Sequence, residues 1–157
     1  MNTTILKSIT SIAFAVLLTL VQARAQTAPV ADDTASTPAF KAFEESYIAA
    51  VNTKDRAKLT VMLHPHSAAD FATDKALADM FFQSRFSETV PAEHKTIVTV
   101  IPAAQPLPFA EMGFSFPVRP THQFDLSFNP TPNHLASITG YIVFKDGKWL
   151  EVAPIKK

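Results

Sequence analysis

Cysteine is absent from this 157-residue chain, glycine occurs three times and tryptophan once. Without cysteine no disulfide can staple the fold, so an apolar core must hold the domain unaided. With so few glycines there is no phosphate-cradling loop, dinucleotide fingerprint or Gly-Xaa-Ser-Xaa-Gly elbow. An excess of one charge is missing too, since 14 Lys+Arg balance 14 Asp+Glu. No basic stripe or block of like charge offers a footprint for nucleic acid. No apolar run reaches the ~20 residues that a membrane span requires.

What the chain does have begins with an export signal. Lys7 supplies a positive start, Ile9 to Val21 is an apolar stretch interrupted by Thr10, Ser11 and Thr19, and Ala23-Arg-Ala25 carries the small residues of a cleavage site. Residues 1–25 therefore read as a signal peptide, with the mature protein starting at Gln26 in the periplasm or outside the cell. Lys7 and Arg24 leave with it, so 12 basic residues face 14 acidic ones and the formal charge becomes −2. There is no cysteine to carry a lipid, so a mature chain free of the membrane is expected. Its length suits one domain with a single core.

Residues 26–37 are rich in Ala, Thr, Asp and Pro without periodicity and read as a flexible leader. Residues 38–157 carry the fold. Thr37-Pro38 is an N-cap followed by proline at the first helical position, where a missing N–H costs nothing. Phe40, Phe43, Tyr47 and Ala50-Val51 recur at helical spacing, which predicts an amphipathic helix of about four turns. Asn52 to Asp55 breaks it and caps a second helix through Leu59, Met62 and Leu63, which Pro65 ends near His64. Thr73 or Asp74 caps a third helix to about Ser84, with Leu77, Met80 and Phe81 as its buried stripe.

Strands follow. Lys95 to Ile101 is β-branched and bounded by prolines, and Phe109 to Phe116 is expected to be a strand as well. Val118 to Phe128 alternates, with polar residues at odd positions and Val118, Pro120, His122, Phe124, Leu126 and Phe128 at even ones, so one face is wet and the other buried. Asn129 to Asn133 reads as a turn. The closing segment Gly140 to Pro154 holds two apolar runs around Asp146-Gly147, the strongest short signal for a tight hairpin. That turn pairs Phe144 with Trp149, Val143 with Leu150 and Tyr141 with Val152. Both hairpin faces are apolar, so one is free to cover the helices and the other needs a loop or a second subunit. The order predicts an α+β fold, three N-terminal helices packed on a curved antiparallel sheet.

Four residues are candidates for a ligand site. His122 shares the parity of Phe124 and Leu126; it can serve as a base or donor near neutral pH, or be a strand-end histidine satisfied by backbone. Tyr47 on the buried helix face can aim its hydroxyl into a pocket, or be a core tyrosine. Trp149 beside the turn can contact a ligand or stack in the core. His64, in His64-Pro-His66, belongs to a pair of imidazoles that falls short of the three or four ligands a zinc site needs, and a turn closing the second helix explains it equally. No catalytic residue, metal ligand or cofactor is assigned. Asp70 can partner His122 or Tyr47, or sit in a capping loop.

The segment Phe43-Glu-Glu-Ser-Tyr47-Ile-Ala-Ala-Val-Asn-Thr-Lys-Asp55-Arg-Ala-Lys-Leu59 resembles the opening helix pair of the nuclear transport factor 2-like superfamily, which includes ketosteroid isomerases and polyketide cyclases. Val143-Phe-Lys-Asp-Gly-Lys-Trp149 resembles its last hairpin. The resemblance implies a cone of sheet and helices around a pocket. It places Tyr47 where isomerases carry an oxyanion-donating tyrosine, and their general-base Asp near Phe71, one residue from Asp70. Their protonated Asp falls on the strand near Gly140, where this chain has no acid. The expectation is an exported domain that binds a small apolar ligand or acts as an accessory module, dimerising through its sheet. The alternatives are a small isomerase or lyase using His122 and Tyr47, and a purely structural dimerisation module.

Overall fold

A computed structural model describes residues 33–156. The predicted signal peptide and leader residues 26–32 lie outside the described residues. The last leader residues, Asp33–Ser36, form a 3-10 turn rather than loose chain.

Helix α1 (Pro38–Asn52) starts as its sequence dictates. The Thr37 side chain accepts a hydrogen bond from the Phe40 N–H, and Pro38 occupies the first turn. Phe40, Phe43, Tyr47, Ala50 and Val51 form its buried stripe. Lys54 in the left-handed region turns the chain, and Asn52 pins the exit by exchanging two 2.8 Å hydrogen bonds with the Val90 backbone. Asp55 caps the short α2 (Arg56–Val61).

Here the expectation of three helices is corrected to four. Helix α2 ends at Val61, short of the expected Leu63, and Pro65 both bars helical geometry at His64 and stands in the first turn of a further helix, α3 (Pro65–Thr73), whose N-cap is His64. Proline is excluded from helix interiors yet favoured at helix starts, so one residue performs both acts. Asp74 then caps α4 (Lys75–Arg85) by accepting from the Leu77 N–H at 3.0 Å. Its buried residues are Leu77, Ala78 and Phe82; Phe81 is half-buried and Met80 is 54% exposed. The stripe is thus turned away from Met80, because Phe82 packs with Phe71 of α3 at 6.0 Å between ring centroids.

Four antiparallel strands form the main sheet in the order β1 (His94–Val100), β3 (His122–Thr131), β4 (His134–Lys145), β5 (Lys148–Glu151). A second sheet pairs β2 (Phe114–Ser115) with β6 (Ile155–Lys156). The expected strand over Phe109 to Phe116 is mostly absent. Phe109 and Gly113 both take left-handed φ angles and enclose a 3-10 turn, Ala110–Met112, which no extended strand tolerates. The expected turn at Asn129 to Asn133 shrinks to Pro132-Asn133, because β3 continues through Pro130. A register shift between Phe128 and Thr131 accommodates the proline, as bulges do.

The closing hairpin matches its expected register: Phe144 pairs with Trp149 and Val143 with Leu150. The Val152 N–H donates to the Tyr141 carbonyl at 2.6 Å. Asp146 (φ 51°) and Gly147 (φ 79°) both lie in the left-handed region that a two-residue loop of this kind requires. One hairpin face points at the helices, where Trp149 meets Phe40. Over Tyr141 on the other face the chain folds its own loop, with Phe109 and Phe116 at 5.9 and 5.0 Å. The free edge of β5 is closed as well. Glu151 donates its N–H to Met62 and accepts from the His64 N–H at 2.7 Å.

The core lies between α1 and the inward side of the sheet. Phe124, Leu126 and Phe128 of β3 are all buried, so the predicted even-position alternation sets its face. Each such aromatic or leucine contributes ~1.5–3 kcal/mol by leaving water. In sum, the described residues are α+β, with four α-helices, a four-stranded antiparallel sheet and a two-stranded one.

Candidate functional site

Gly140 is flanked by bulky neighbours because it has no side chain. A β-carbon built there would stand 2.2 Å from the Phe124 ring and 3.0 Å from Glu151 Oε1. The space is therefore taken by a phenylalanine from β3 and a carboxylate from β5. This corrects the reading that no acid approaches Gly140: one does, from the neighbouring strand rather than from β4 itself.

Glu151 is fully buried, an expensive place for a charge. Its partner comes from 66 residues earlier, where Arg85 in the last turn of α4 reaches Oε1 through Nη2 at 2.6 Å. The Arg85 side chain is 12% exposed and lies over the Phe81 ring at 4.8 Å. Tyr47 completes the cluster, fully buried in edge contact with Phe124 at 5.2 Å. Among the described residues, three buried atoms here, Tyr47 Oη, Arg85 Nε and Glu151 Oε2, meet no partner at full hydrogen-bond geometry, although the Tyr47 hydroxyl lies close enough to the Glu151 carboxylate to interact with it. Burial raises the Tyr47 hydroxyl well above its ordinary pKa. It also pushes the Glu151 carboxyl upward, against the pull of Arg85. Burial works most strongly against the Arg85 charge, but the Glu151 carboxylate, with Tyr47 and Tyr141, together outweighs it and holds the guanidinium protonated.

Chemically, the cluster has an acid, a phenol and a cation in one place, yet substrate has little room to reach them. Beside Tyr47, between α1 and β3, the free volume is about 10 Å³, lined by Phe40, Phe43, Glu44, Phe124 and Leu126 among others. That is room for one water and no more. The rings of Trp149, Phe40, Phe43 and Tyr47 succeed one another at 5.6 to 6.3 Å and fill the interior where a pocket was expected.

The four sequence-predicted residues do not share one site, although His122 and Trp149 are in ring contact. Tyr47 is in the buried cluster. His122 is half-buried on β3, with its ring edge-on to Trp149 at 4.9 Å and Nδ1 2.9 Å from the Thr121 hydroxyl. His64 is 3% exposed; its Nδ1 accepts from the His66 N–H at 3.3 Å, and the two imidazoles stack at 5.3 Å. It is a helix cap whose pKa is lowered by burial, then by the charges of Lys145 and His66. Among the described residues no group of three or more His, Asp and Glu is placed to hold a metal. Asp70 lies inside α3 rather than in a capping loop.

Of the four, Trp149 lines an open groove. Between α1, the end of α2 and the hairpin tip runs a groove of about 270 Å³, lined by Ala39, Phe43, Val61, Met62, Trp149 and Leu150, with Ser46 and Lys148 as polar points. Sequence reasoning missed Glu151 and Arg85. The signals existed: Glu151 shares the strand parity of the inward Trp149, and Arg85 lies four residues after Phe81 on the packed side of α4.

Comparison with protein-family models, with curated proteins and with solved structures returns no match.

Proposed function

We propose that the chain is an exported, non-catalytic binding module of nuclear transport factor 2-like type that takes a small apolar ligand in the groove between α1 and the β4–β5 hairpin. The observation that carries this reading is the contrast between the two sites. The acid–base groups of the buried cluster are enclosed: Tyr47 is 1% exposed beside a 10 Å³ void, and Glu151 is fully buried. The groove is open, about 270 Å³ in volume and walled by aromatic and aliphatic side chains. Binding sites are characteristically concave and mostly apolar with a few polar points, and this groove has that make-up. An isomerase or lyase built on Tyr47 would have to bring substrate against a hydroxyl that the core encloses.

Export to the periplasm or beyond, the cone architecture and membership of the superfamily form part of the same proposal. They rest on the N-terminal segment, the helix-then-sheet order and the segments Phe43 to Leu59 and Val143 to Trp149. Native mass spectrometry of the protein purified from its own exporting host tests the reading. A mature chain beginning at Gln26 and carrying an apolar mass of a few hundred daltons or less is the expected result. A mature chain that is bare in every preparation and binds no apolar compound would contradict it.

A further inference from the structure

The groove beside Trp149 carries charge at one end only. Strand β5 runs along α1 in the same sense as the helix: Trp149 meets Phe40, and two residues on Glu151 approaches Tyr47. Lys148 and Gly147 therefore stand beside the start of α1, near Ala39. Val61 and Met62 stand at the other end, where the Met62 carbonyl accepts from the Glu151 N–H. Of the ten residues that line the groove, Lys148 alone is charged and none is acidic. Asp146 and Glu45, the sequence neighbours of Gly147 and Ser46, are not among them.

Lys148 is exposed, and among the described residues it forms no ion pair. Directly opposite it across the hairpin is Lys145, which has no ion pair there either, and whose charge is felt as far as His64. Like charges facing each other across two strands repel, so the hairpin tip holds an uncompensated positive pair at this end of the groove. The first turn of α1 adds the positive end of a helix dipole and contains no acidic residue. We infer that the ligand of the groove is an amphipathic monoanion, a small apolar carboxylic acid. Its carboxylate lies against Lys148, and its hydrocarbon part runs past Phe43 and Trp149 toward Val61 and Met62. An anion so placed relieves the repulsion between the two lysines. A neutral molecule leaves it in place, and a cation adds a third like charge. The inference names the chemistry of the ligand and rests on the reading of the groove as a binding site.

Octanoate, 1-octanol and octylamine carry the same length of hydrocarbon with a negative, neutral and positive head at neutral pH. Calorimetric titration of the mature full-length protein with each therefore separates charge from apolar burial. Octanoate should bind roughly five-fold more tightly than 1-octanol, the worth of one exposed ion pair, and octylamine should bind most weakly. The octanoate advantage should vanish in Lys148→Met and persist in Lys148→Arg. In the native protein added salt should narrow it, a readout that does not depend on any variant's folding. Equal binding of octanoate and 1-octanol overturns the inference, as does tighter binding of octylamine or an advantage that Lys148→Met retains; each leaves the groove standing as an apolar site. If none of the three binds, the reading of the groove itself fails, and the inference falls with it.

Discussion

Glu151 Oε1 lies 3.0 Å from the point where Gly140 would carry a β-carbon, with the Phe124 ring closer still at 2.2 Å. The two residues fit because one has no side chain. Gly140 does not adopt a left-handed φ, so its role is the room it leaves rather than backbone freedom.

Gly140→Ala should therefore destabilise the fold through overpacking, although alanine suits a strand no worse than glycine. The expected loss is ~1–3 kcal/mol, the usual range for an extra methyl group in a packed core. Urea unfolding followed by circular dichroism reads it as a lower midpoint. A midpoint equal to that of the native chain would mean that Phe124 and Glu151 yield freely.

The Arg85–Glu151 pair makes an asymmetric prediction. Removing one partner leaves the other charge buried and unpaired, so Glu151→Ala and Arg85→Ala should each cost about 3–5 kcal/mol. The double variant Arg85→Met/Glu151→Leu should lose much less than the two single losses combined, because an apolar pair needs no desolvation. Tyr47→Phe should change stability by about 1 kcal/mol or less, since its hydroxyl lacks full hydrogen-bond geometry and gives up only a weak contact with Glu151. A complete double-mutant cycle with additive losses would show that the two charges do not interact.

Much of this architecture was legible locally, and the charge pair was not. The Thr37 cap, the stripe from Phe40 to Val51, the even-numbered face of β3 and the Asp146-Gly147 turn all depend on neighbours within one or two turns of chain. Pro65 was legible only as a stop, because the same residue also starts α3 and sequence alone does not rank the two effects. The strand expected at Phe109 to Phe116 failed at two left-handed residues, one of them a phenylalanine that ordinarily avoids that region. Glu151 and Arg85 are 66 positions apart, and neither residue's neighbours reveal that the other will neutralise it.

Acidification should weaken the fold through His64. Burial lowers its folded pKa below the unfolded value of 6.5, so the unfolded chain takes up the proton first. Stability contributed by neutral His64 is complete above pH 6.5, falls as pH drops from there toward the folded pKa, and changes no further below it. Protonation also removes the Nδ1 lone pair that caps α3. His64→Asn keeps a capping oxygen without a titrating ring. Urea midpoints for the two proteins should therefore diverge above pH 6.5 and differ less in acid. Parallel pH profiles would rule His64 out as the source.

Gly147 needs its conformational freedom. With φ at 79°, Gly147→Ala should lose roughly 1 kcal/mol, although a β-carbon there would meet nothing within 4 Å. Thermal unfolding of the variant checks this. An unchanged melting temperature would show that the turn relaxes at no cost.

The central claim is that an apolar ligand enters the groove beside Trp149, and Trp149 is the chain's sole tryptophan. Energy transfer from Trp149 to the apolar dye 8-anilinonaphthalene-1-sulfonate, measured on the folded mature protein, tests it most directly. The account predicts saturable transfer at one site per chain, abolished by Val61→Glu, which sets a charge at an exposed position on the groove wall. No transfer in the native protein, or transfer that Val61→Glu leaves unchanged, would contradict it.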